Sequence, residues 1–179
     1  MPVPEALSKW LIQRYPKPKI DAEWLEACYN WVIETKNLDP ITDIAEIQTQ
    51  VNQQLLCSDF SLSMVPATGL TANIKALKNT ILRGPPILLE LISLEEIGHS
   101  AFSLSNVRQI RIDREDLAGL GNSDEEGQDD DEGPIPRYPR SLLKMVLSDG
   151  HRQLVAIEDT RIEGLELGKT SLGCKVSAR

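Results

Sequence analysis

The residues best suited to bind a cation stand together in one short run. Positions 121–133 contain seven carboxylates and no basic residue: Asp124, Glu125, Glu126, Asp129, Asp130, Asp131 and Glu132. Clustered carboxylate oxygens are typical ligands of a hard cation such as Ca²⁺. However, the run lacks the alternating oxygen ligands and the closing glutamate of an EF-hand loop, so the sequence predicts no metal site.

The residues that could act as a nucleophile or a base are scattered along the chain. His99 lies in a predicted loop and His151 beside a predicted turn, and neither has a cysteine or acidic ligand at metal spacing. Three cysteines, far apart and never in a C-x-x-C pair, indicate neither a zinc site nor a disulfide framework: Cys28, Cys57 and Cys174. Because nucleotide-binding and hydrolase motifs are also missing from the sequence, we predict a non-catalytic protein without a cofactor.

The negative charge of the chain is concentrated in the acidic run. The formal net charge is −8, and without the seven carboxylates of the run the rest of the chain carries −1. The negative charge is therefore a property of one segment and not of the folded surface. Since the sequence shows no apolar targeting region and no run of the ~20 apolar residues that span a bilayer, we expect a reducing intracellular compartment and no membrane partner.

The first third of the sequence predicts three amphipathic helices. Residues 4–14 form the first, which the prolines at 16 and 18 end. Asp21 is a suitable N-cap for the second helix, and Asn37 a suitable end. Asp39-Pro40 predicts the start of the third helix as its N-cap and first position, with apolar residues at helical spacing as far as position 55. Such short helices with tight links favour a three-helix bundle.

The three tryptophans of the chain all fall on the predicted helices. Trp10, Trp24 and Trp31 each lie on the apolar stripe of a helix. They could form a platform for nucleobases, but large rings on apolar stripes more commonly form the core of a small bundle. We therefore predict that all three are core residues.

The rest of the sequence predicts short strands. Apolar or alternating segments occur at 87–92, 107–112, 143–147, 153–157 and 172–176. Asp149-Gly150 is a strong signal for a tight turn between two of them. Several short strands with turn signals between them indicate a small antiparallel barrel or sandwich.

The acidic run joins two strands of this β domain, so we interpret it as an insertion and not as a linker between domains. Like charges repel and bury no surface, so residues 121–133 are predicted to be disordered. The flanks of the run are apolar and partly rigid, and they are candidate anchors for a macromolecular partner: Leu117, Leu120, Ile135, Pro136, Tyr138 and Pro139.

Single-strand nucleic-acid binding is the alternative function that small barrels suggest. It depends on stacked aromatic residues and a basic groove. From position 60 onward the aromatic residues are Phe60, Phe102 and Tyr138, which is too few for a stacking platform. The sequence therefore argues against strong autonomous binding. Weak electrostatic contact with DNA stays open, through basic residues that flank the acidic run: Arg108, Arg111, Arg114, Arg137 and Arg140.

Four blocks of the sequence resemble a known family. They are WLEACYNWVIE at 24–34, LLCSDFSLSM at 55–64, LLKMVLSDGHRQLVAIE at 142–158 and LELGKTSLGCKV at 165–176. In this order they resemble the N-terminal region of RecQ-mediated genome instability protein, subunit 1, in a fungal form. The resemblance implies an α+β fold: a three-helix bundle over residues 1–57, then a small OB-fold-like antiparallel barrel over 58–179. The insertion, at about 113–140, would join the first strands of the barrel.

The resemblance also implies a function. Members of this family are nuclear, non-catalytic scaffolds that bind topoisomerase III and act with a RecQ-family helicase to dissolve double Holliday junctions. Their insertion reaches into the topoisomerase gate, and they take no small-molecule substrate. The family barrel continues beyond the point that corresponds to position 179, so the resemblance predicts an incomplete barrel in this chain.

Overall fold

Helices occupy the first third of the chain, and four strands and one further α-helix lie in the described part of the rest. The computed structural model describes residues 1–77, 81, 83–120 and 135–178, without the side chains of 115–120. The helices are α1 (Glu5–Arg14), α2 (Ala22–Lys36), α3 (Ile44–Cys57), α4 (Phe60–Ser63) and α5 (Ala101–Leu120). The strands are β1 (Ile87–Glu96), β2 (Leu143–Ser148), β3 (Gln153–Ile157) and β4 (Lys175–Ala178). None of these described helices has the length and hydropathy that crossing a membrane requires.

The chain divides by compactness into two units. The first comprises residues 1–94, 145–156 and 171–179, and the second comprises residues 95–144 and 157–170. Helices α1–α4 belong to the first unit and α5 belongs to the second. The domain bounds expected from the sequence, 1–57 and 58–179, stay a prediction.

Two residues identified in the sequence, Asp21 and Asn37, determine where α2 begins and ends. The Asp21 side chain accepts a hydrogen bond of 3.0 Å from the backbone N–H of Trp24, which satisfies one of the unpaired donors of the first turn. At the other end Asn37 adopts a left-handed conformation with φ of 52°, a common way to end a helix. Both predicted ends are confirmed.

The predicted start of the third helix is wrong. Asp39 accepts a hydrogen bond of 2.7 Å from the N–H of Ile41, and its carbonyl accepts one of 3.0 Å from Asp43. These bonds close a separate turn, so α3 begins only at Ile44. An aspartate side chain stabilises a turn as readily as a helix start, because both expose N–H groups two or three residues further on.

The core of the first unit is built around the helices. Its fully buried residues include Leu7 and Leu11 of α1, Tyr29 of α2 and Phe60 of α4. Trp10 and Trp24 are half-buried and pack against this core, as predicted. The prediction is wrong for Trp31, which is 48% exposed. The buried stripe of α2 instead passes through Leu25, Tyr29 and Val32, at spacings of four and three.

The strands form one antiparallel sheet of four, in the order β3-β2-β1-β4. Strand β4 pairs with β1 in a register that places Leu88 opposite Ser177 and Glu90 opposite Lys175. Adjacent β1 and β2 confirm that the segments before and after the acidic run belong to one sheet. The α+β class, with helices first and an OB-fold-like β domain second, is therefore confirmed.

The Asp149-Gly150 turn between β2 and β3 is confirmed. Gly150 has a φ of 97°, and a Cβ atom there would lie 2.3 Å from the Phe60 carbonyl oxygen, so glycine is required. The buried Asp149 carboxylate accepts hydrogen bonds of 2.7 Å from the N–H groups of both Leu70 and Arg152. This one carboxylate therefore fixes the turn and attaches the loop at Leu70 to it.

The strand predicted at 107–112 is wrong, because these residues lie in α5. Val107, Ile110 and Ile112 gave a rough alternation that resembled a strand. The structure instead shows half-buried side chains at Leu104, Val107, Arg111 and Arg114, which are spaced by three, four and three. The helix starts where the Ser100 hydroxyl accepts a hydrogen bond of 3.2 Å from the N–H of Ser103.

Candidate functional site: the base of the insertion

The insertion is defined here as residues 97–142, the connection from β1 to β2. Its described part consists of α5 and the segment 135–142. The insertion base, defined as the residues that hold its two ends, lies within the second unit. It is built around two buried carboxylates, Glu96 at the end of β1 and Glu158 just after β3.

Glu96 binds both ends of the insertion. Its Oε1 accepts a hydrogen bond of 2.7 Å from the N–H of Gly98, where the insertion leaves the sheet. The same carboxylate accepts bonds of 2.8 Å from Ser141 and 3.1 Å from Leu142, where the insertion returns. A side chain that is 6% exposed thus satisfies three backbone donors from two distant parts of the chain.

These hydrogen bonds keep Glu96 ionised. Burial by itself would raise the pKa of a carboxyl group, because it disfavours the charged form. The bonds from Ser141, Leu142 and Gly98 outweigh burial, and the pKa of Glu96 lies below its ordinary value. The ionised carboxylate therefore holds the two ends together at neutral pH.

The second carboxylate, Glu158, forms a buried ion pair with Arg140. The Nη1 and Nη2 groups of Arg140 donate to the two carboxylate oxygens, in a bidentate arrangement. The exposed fractions of the two side chains are 9% for Arg140 and 2% for Glu158. Glu158 also accepts hydrogen bonds from the N–H groups of Leu143 and Ile162, so the pair connects the end of the insertion to the start of β2.

The electrostatics of this pair stabilise the charged forms of both residues. The hydrogen bond from Arg140, assisted by the backbone N–H groups of Ile162 and Leu143, lowers the pKa of Glu158 to about 2 although burial opposes it. The hydrogen bond to Glu158 raises the pKa of Arg140 above its ordinary value.

Tyr138 connects α5 to the segment that returns to the sheet. The guanidinium carbon of Arg111 lies 5.4 Å from the centre of the Tyr138 ring, a cation–π distance. Arg111 also donates a hydrogen bond of 3.1 Å to the Pro136 carbonyl. The ring also lies against Gly168, where a Cβ atom would be only 2.6 Å from it. Glycine thus permits this packing.

A small basic pocket opens beside Tyr138. Its volume is about 100 Å³. Five cationic side chains line it, together with the carboxylate of Glu166: Arg111, Arg137, Arg140, Arg161 and Lys169. A wider groove of about 450 Å³ shares Tyr138 and Leu167 with the pocket and is also lined by Leu104 and Arg108.

The structure divides the predicted anchor residues into three groups. Leu117 and Leu120 lie near the end of α5, where side chains are not described. Ile135 is 55% exposed. Pro136, Tyr138 and Pro139 are half-buried. Their role in binding a partner stays a prediction. The seven predicted carboxylates and the disorder expected for 121–133 lie outside the described residues.

Sequence reasoning missed the two carboxylates that organise the base. Glu96 bonds Ser141 across 45 positions of sequence and Glu158 pairs with Arg140 across 18, so no short motif contains either set of partners. One signal was available, since Glu96 is the second of two glutamates that follow the apolar residues of β1, and Glu158 follows directly on those of β3. A carboxylate at the end of a strand is well placed to bind N–H groups that the ladder leaves unpaired.

The described residues show no arrangement typical of a metal site or of an activated nucleophile. No group of three or more potential ligands among His, Cys, Asp and Glu comes together in the described part of the chain. His99 and His151 are exposed, as predicted. Burial raises the pKa of the Cys28 thiol to about 11, which keeps it protonated and weakly nucleophilic.

The fold and the insertion base define a class of protein. It has an N-terminal helical region, then an OB-fold-like β domain that carries a long insertion between its first two strands. The family model described as RMI1, N-terminal OB-fold domain, matches residues 70–178, and the model described as RMI1, N-terminal helical domain, matches residues 10–63. The chain belongs to the RMI1 family, whose functions lie in genome stability and DNA repair. A search of curated proteins finds no matching relative.

Proposed function

We propose that this protein is a non-catalytic scaffold that binds topoisomerase III and works with a RecQ-family helicase. Together they dissolve double Holliday junctions during DNA recombination, repair and replication. Membership of the RMI1 family supports this proposal. The insertion is the segment that acts on the topoisomerase gate, and the protein works in the nucleus.

One observation carries the proposed role of the insertion: Glu96 binds both of its ends. Hydrogen bonds from Gly98 at one end and from Ser141 and Leu142 at the other fix the two points where the insertion meets the sheet. A segment attached to a fixed frame has a high effective concentration at its target once the frame has docked. The base therefore supports a scaffold that presents the insertion to a partner.

The proposal assigns the candidate anchor residues to the contact between the insertion and topoisomerase III. Ile135 has the clearest exposure, at 55%. Tyr138 and Pro136 hold the returning segment through Arg111, so their contribution is to position Ile135 and its neighbours. Leu117, Leu120 and Pro139 complete the proposed apolar flanks of the acidic run.

Co-purification and decatenation together test the proposal. The full chain is expected to capture topoisomerase III and to change its decatenation rate. A variant with residues 121–134 replaced by a short Gly-Ser linker leaves the contacts of Arg111 in place. We expect it to capture the enzyme normally but to lose the effect on decatenation. The matched control, Ile41→Ser at an exposed position between α2 and α3, should keep both properties.

Two results would contradict the proposal at different levels. Failure of the intact chain to capture topoisomerase III would exclude the scaffold function. Normal capture and normal decatenation by the shortened variant would exclude the gate role of the insertion while leaving the scaffold function in place.

A further inference from the structure

A groove of about 330 Å³ lies between α2 and the end of α3, within the first unit. Its lining includes four residues of α2 and two of α3: Trp24, Ala27, Cys28, Trp31, Gln54 and Cys57. Trp31 is 48% exposed, although its ring is among the largest apolar surfaces that a side chain offers. The described part of the chain therefore leaves apolar surface uncovered at this groove.

The lining of this helical groove is mainly uncharged and apolar. Burial raises the pKa of the Cys28 thiol to about 11, so that the thiol stays neutral beside the two tryptophan rings. Ser58 also lines the groove, but its hydroxyl already donates a hydrogen bond of 2.8 Å to the Leu55 carbonyl. A partner that enters the groove must therefore present mostly apolar side chains.

Carboxylates follow the α2 side of the helical groove. Glu23 lies four positions before Ala27 and Glu34 lies seven positions after it, so the three residues form one row along the helix. Both glutamates are exposed, and neither forms an ion pair with another residue in the described part of the chain. Such a rim repels nucleic acids and anionic lipids and attracts a cationic segment of protein.

We propose that the helical groove binds a cationic amphipathic helix of a protein partner. Its apolar side chains enter the groove, as in other complexes between a helix and a groove, and lysine or arginine side chains lie beside Glu23 and Glu34. Eleven positions of α2 separate these glutamates, which places them about 16 Å apart along the helix axis. A partner helix that lies along α2 therefore carries its two cations about eleven residues apart.

Trp31 is the expected centre of this contact, because its ring offers both apolar area and a face for a cation. The proposal does not depend on the function proposed above, since no residue of the helical groove belongs to the insertion.

A fluorescein-labelled synthetic peptide tests the apolar part of the site. The peptide is helix-forming, with leucines on one face and two lysines about eleven residues apart, and anisotropy measures its binding to the full chain. Trp31→Ala is expected to weaken binding about tenfold, because a central tryptophan commonly dominates such an interface. The matched control is Ile12→Ala, at a position of α1 that is 65% exposed, and it should bind as the wild type does. Equal affinities of the two variants would overturn the proposal.

Reversal of charge tests the acidic rim. Glu23→Lys/Glu34→Lys should prefer a peptide in which glutamates replace the two lysines, whereas the wild type should prefer the lysine peptide. Asp159→Lys/Glu163→Lys makes the same change at exposed positions outside the groove and should keep the wild-type preference. A rim variant that still prefers the lysine peptide would overturn the assignment of the rim, and with it the proposal.

Alkylation of Cys57 locates the bound peptide. This cysteine is exposed and lines the helical groove, whereas the half-buried Cys174 does not line it. The lysine peptide should slow the reaction of Cys57 with N-ethylmaleimide, followed by mass spectrometry, and leave that of Cys174 unchanged. Binding that leaves the alkylation of Cys57 unchanged would place the peptide elsewhere and overturn the proposal.

A second copy of the chain is the competing occupant of the helical groove. Sedimentation velocity of the chain alone is expected to show a monomer at the concentrations at which the peptide binds. Self-association that Trp31→Ala abolishes would assign the groove to a second copy and overturn the proposal. Failure of the scaffold proposal would instead appear as loss of topoisomerase III capture by a wild-type chain that still binds the peptide.

Discussion

At the scale of single residues, two buried carboxylates determine how the insertion is held. Glu96 satisfies backbone donors at both ends of the insertion, and Glu158 pairs with Arg140 while accepting two further N–H groups. A buried charge is costly unless other groups compensate it: Glu158 has a cation and two N–H donors, and Glu96 has three N–H donors. Removing Arg140 would leave the charge of Glu158 buried without its cation, so this pair is expected to be sensitive to substitution.

Replacing Arg140 tests the ion pair. Arg140→Met leaves the Glu158 carboxylate without its cation, and breaking a buried pair in this way typically destabilises a protein by about 3–5 kcal/mol. Urea denaturation at neutral pH measures the change. The control is Lys144→Met, because Lys144 pairs with Glu95 at a largely solvent-accessible site and such a pair contributes about 1 kcal/mol or less. Similar losses in the two variants would contradict the assignment.

The same pair predicts how stability depends on pH. The pKa of Glu158 falls from an ordinary 4.5 to about 2 in the folded protein, so the folded state binds this proton more weakly than the unfolded state does. Its contribution is complete above pH 4.5 and is lost as the pH falls towards 2. Denaturation curves across this range should show the loss. The Glu158→Gln variant should be less stable at neutral pH and show a shallower decline in acid, whereas an unchanged decline would contradict the prediction.

At the scale of elements, the sequence predicted the helix ends and the turn that neighbouring residues specify. Asp21 and Asn37 give both ends of α2, and Asp149-Gly150 gives the turn between β2 and β3. Helix α5 was missed because the β-branched residues at 107, 110 and 112 alternate roughly, although Ser100 offered a helix start. The insertion base was missed because its partners meet only after the sheet has formed, which no local pattern encodes.

Replacing Glu96 tests whether this residue holds the ends of the insertion. In Glu96→Gln, one half of the side chain becomes an amide donor that faces backbone N–H groups, so some of those bonds are lost. We expect faster hydrogen exchange at the amides of Gly98, Ser141 and Leu142, with unchanged exchange in α2. Protection that stays the same at all three amides would show that the base does not depend on Glu96.

At the scale of the whole molecule, the charges of the chain are separated. Seven carboxylates lie between 121 and 133, and three arginines of the basic pocket lie in the segments on either side: Arg111, Arg137 and Arg140. The overall net charge therefore does not predict the partner of the insertion. Family membership could be expected from four blocks of sequence, while the geometry of the base required the folded chain.

Site-specific photo-crosslinking tests the central claim, that the insertion is presented to topoisomerase III. A photoreactive residue replaces Ile135, an exposed position within the insertion, and in a control it replaces Ile41, which is 87% exposed in the loop before α3. Irradiation of the assembled complex should give a crosslinked product from position 135 and none from position 41. A complex that forms normally yet gives no product from position 135, or equal product from both positions, would contradict the account.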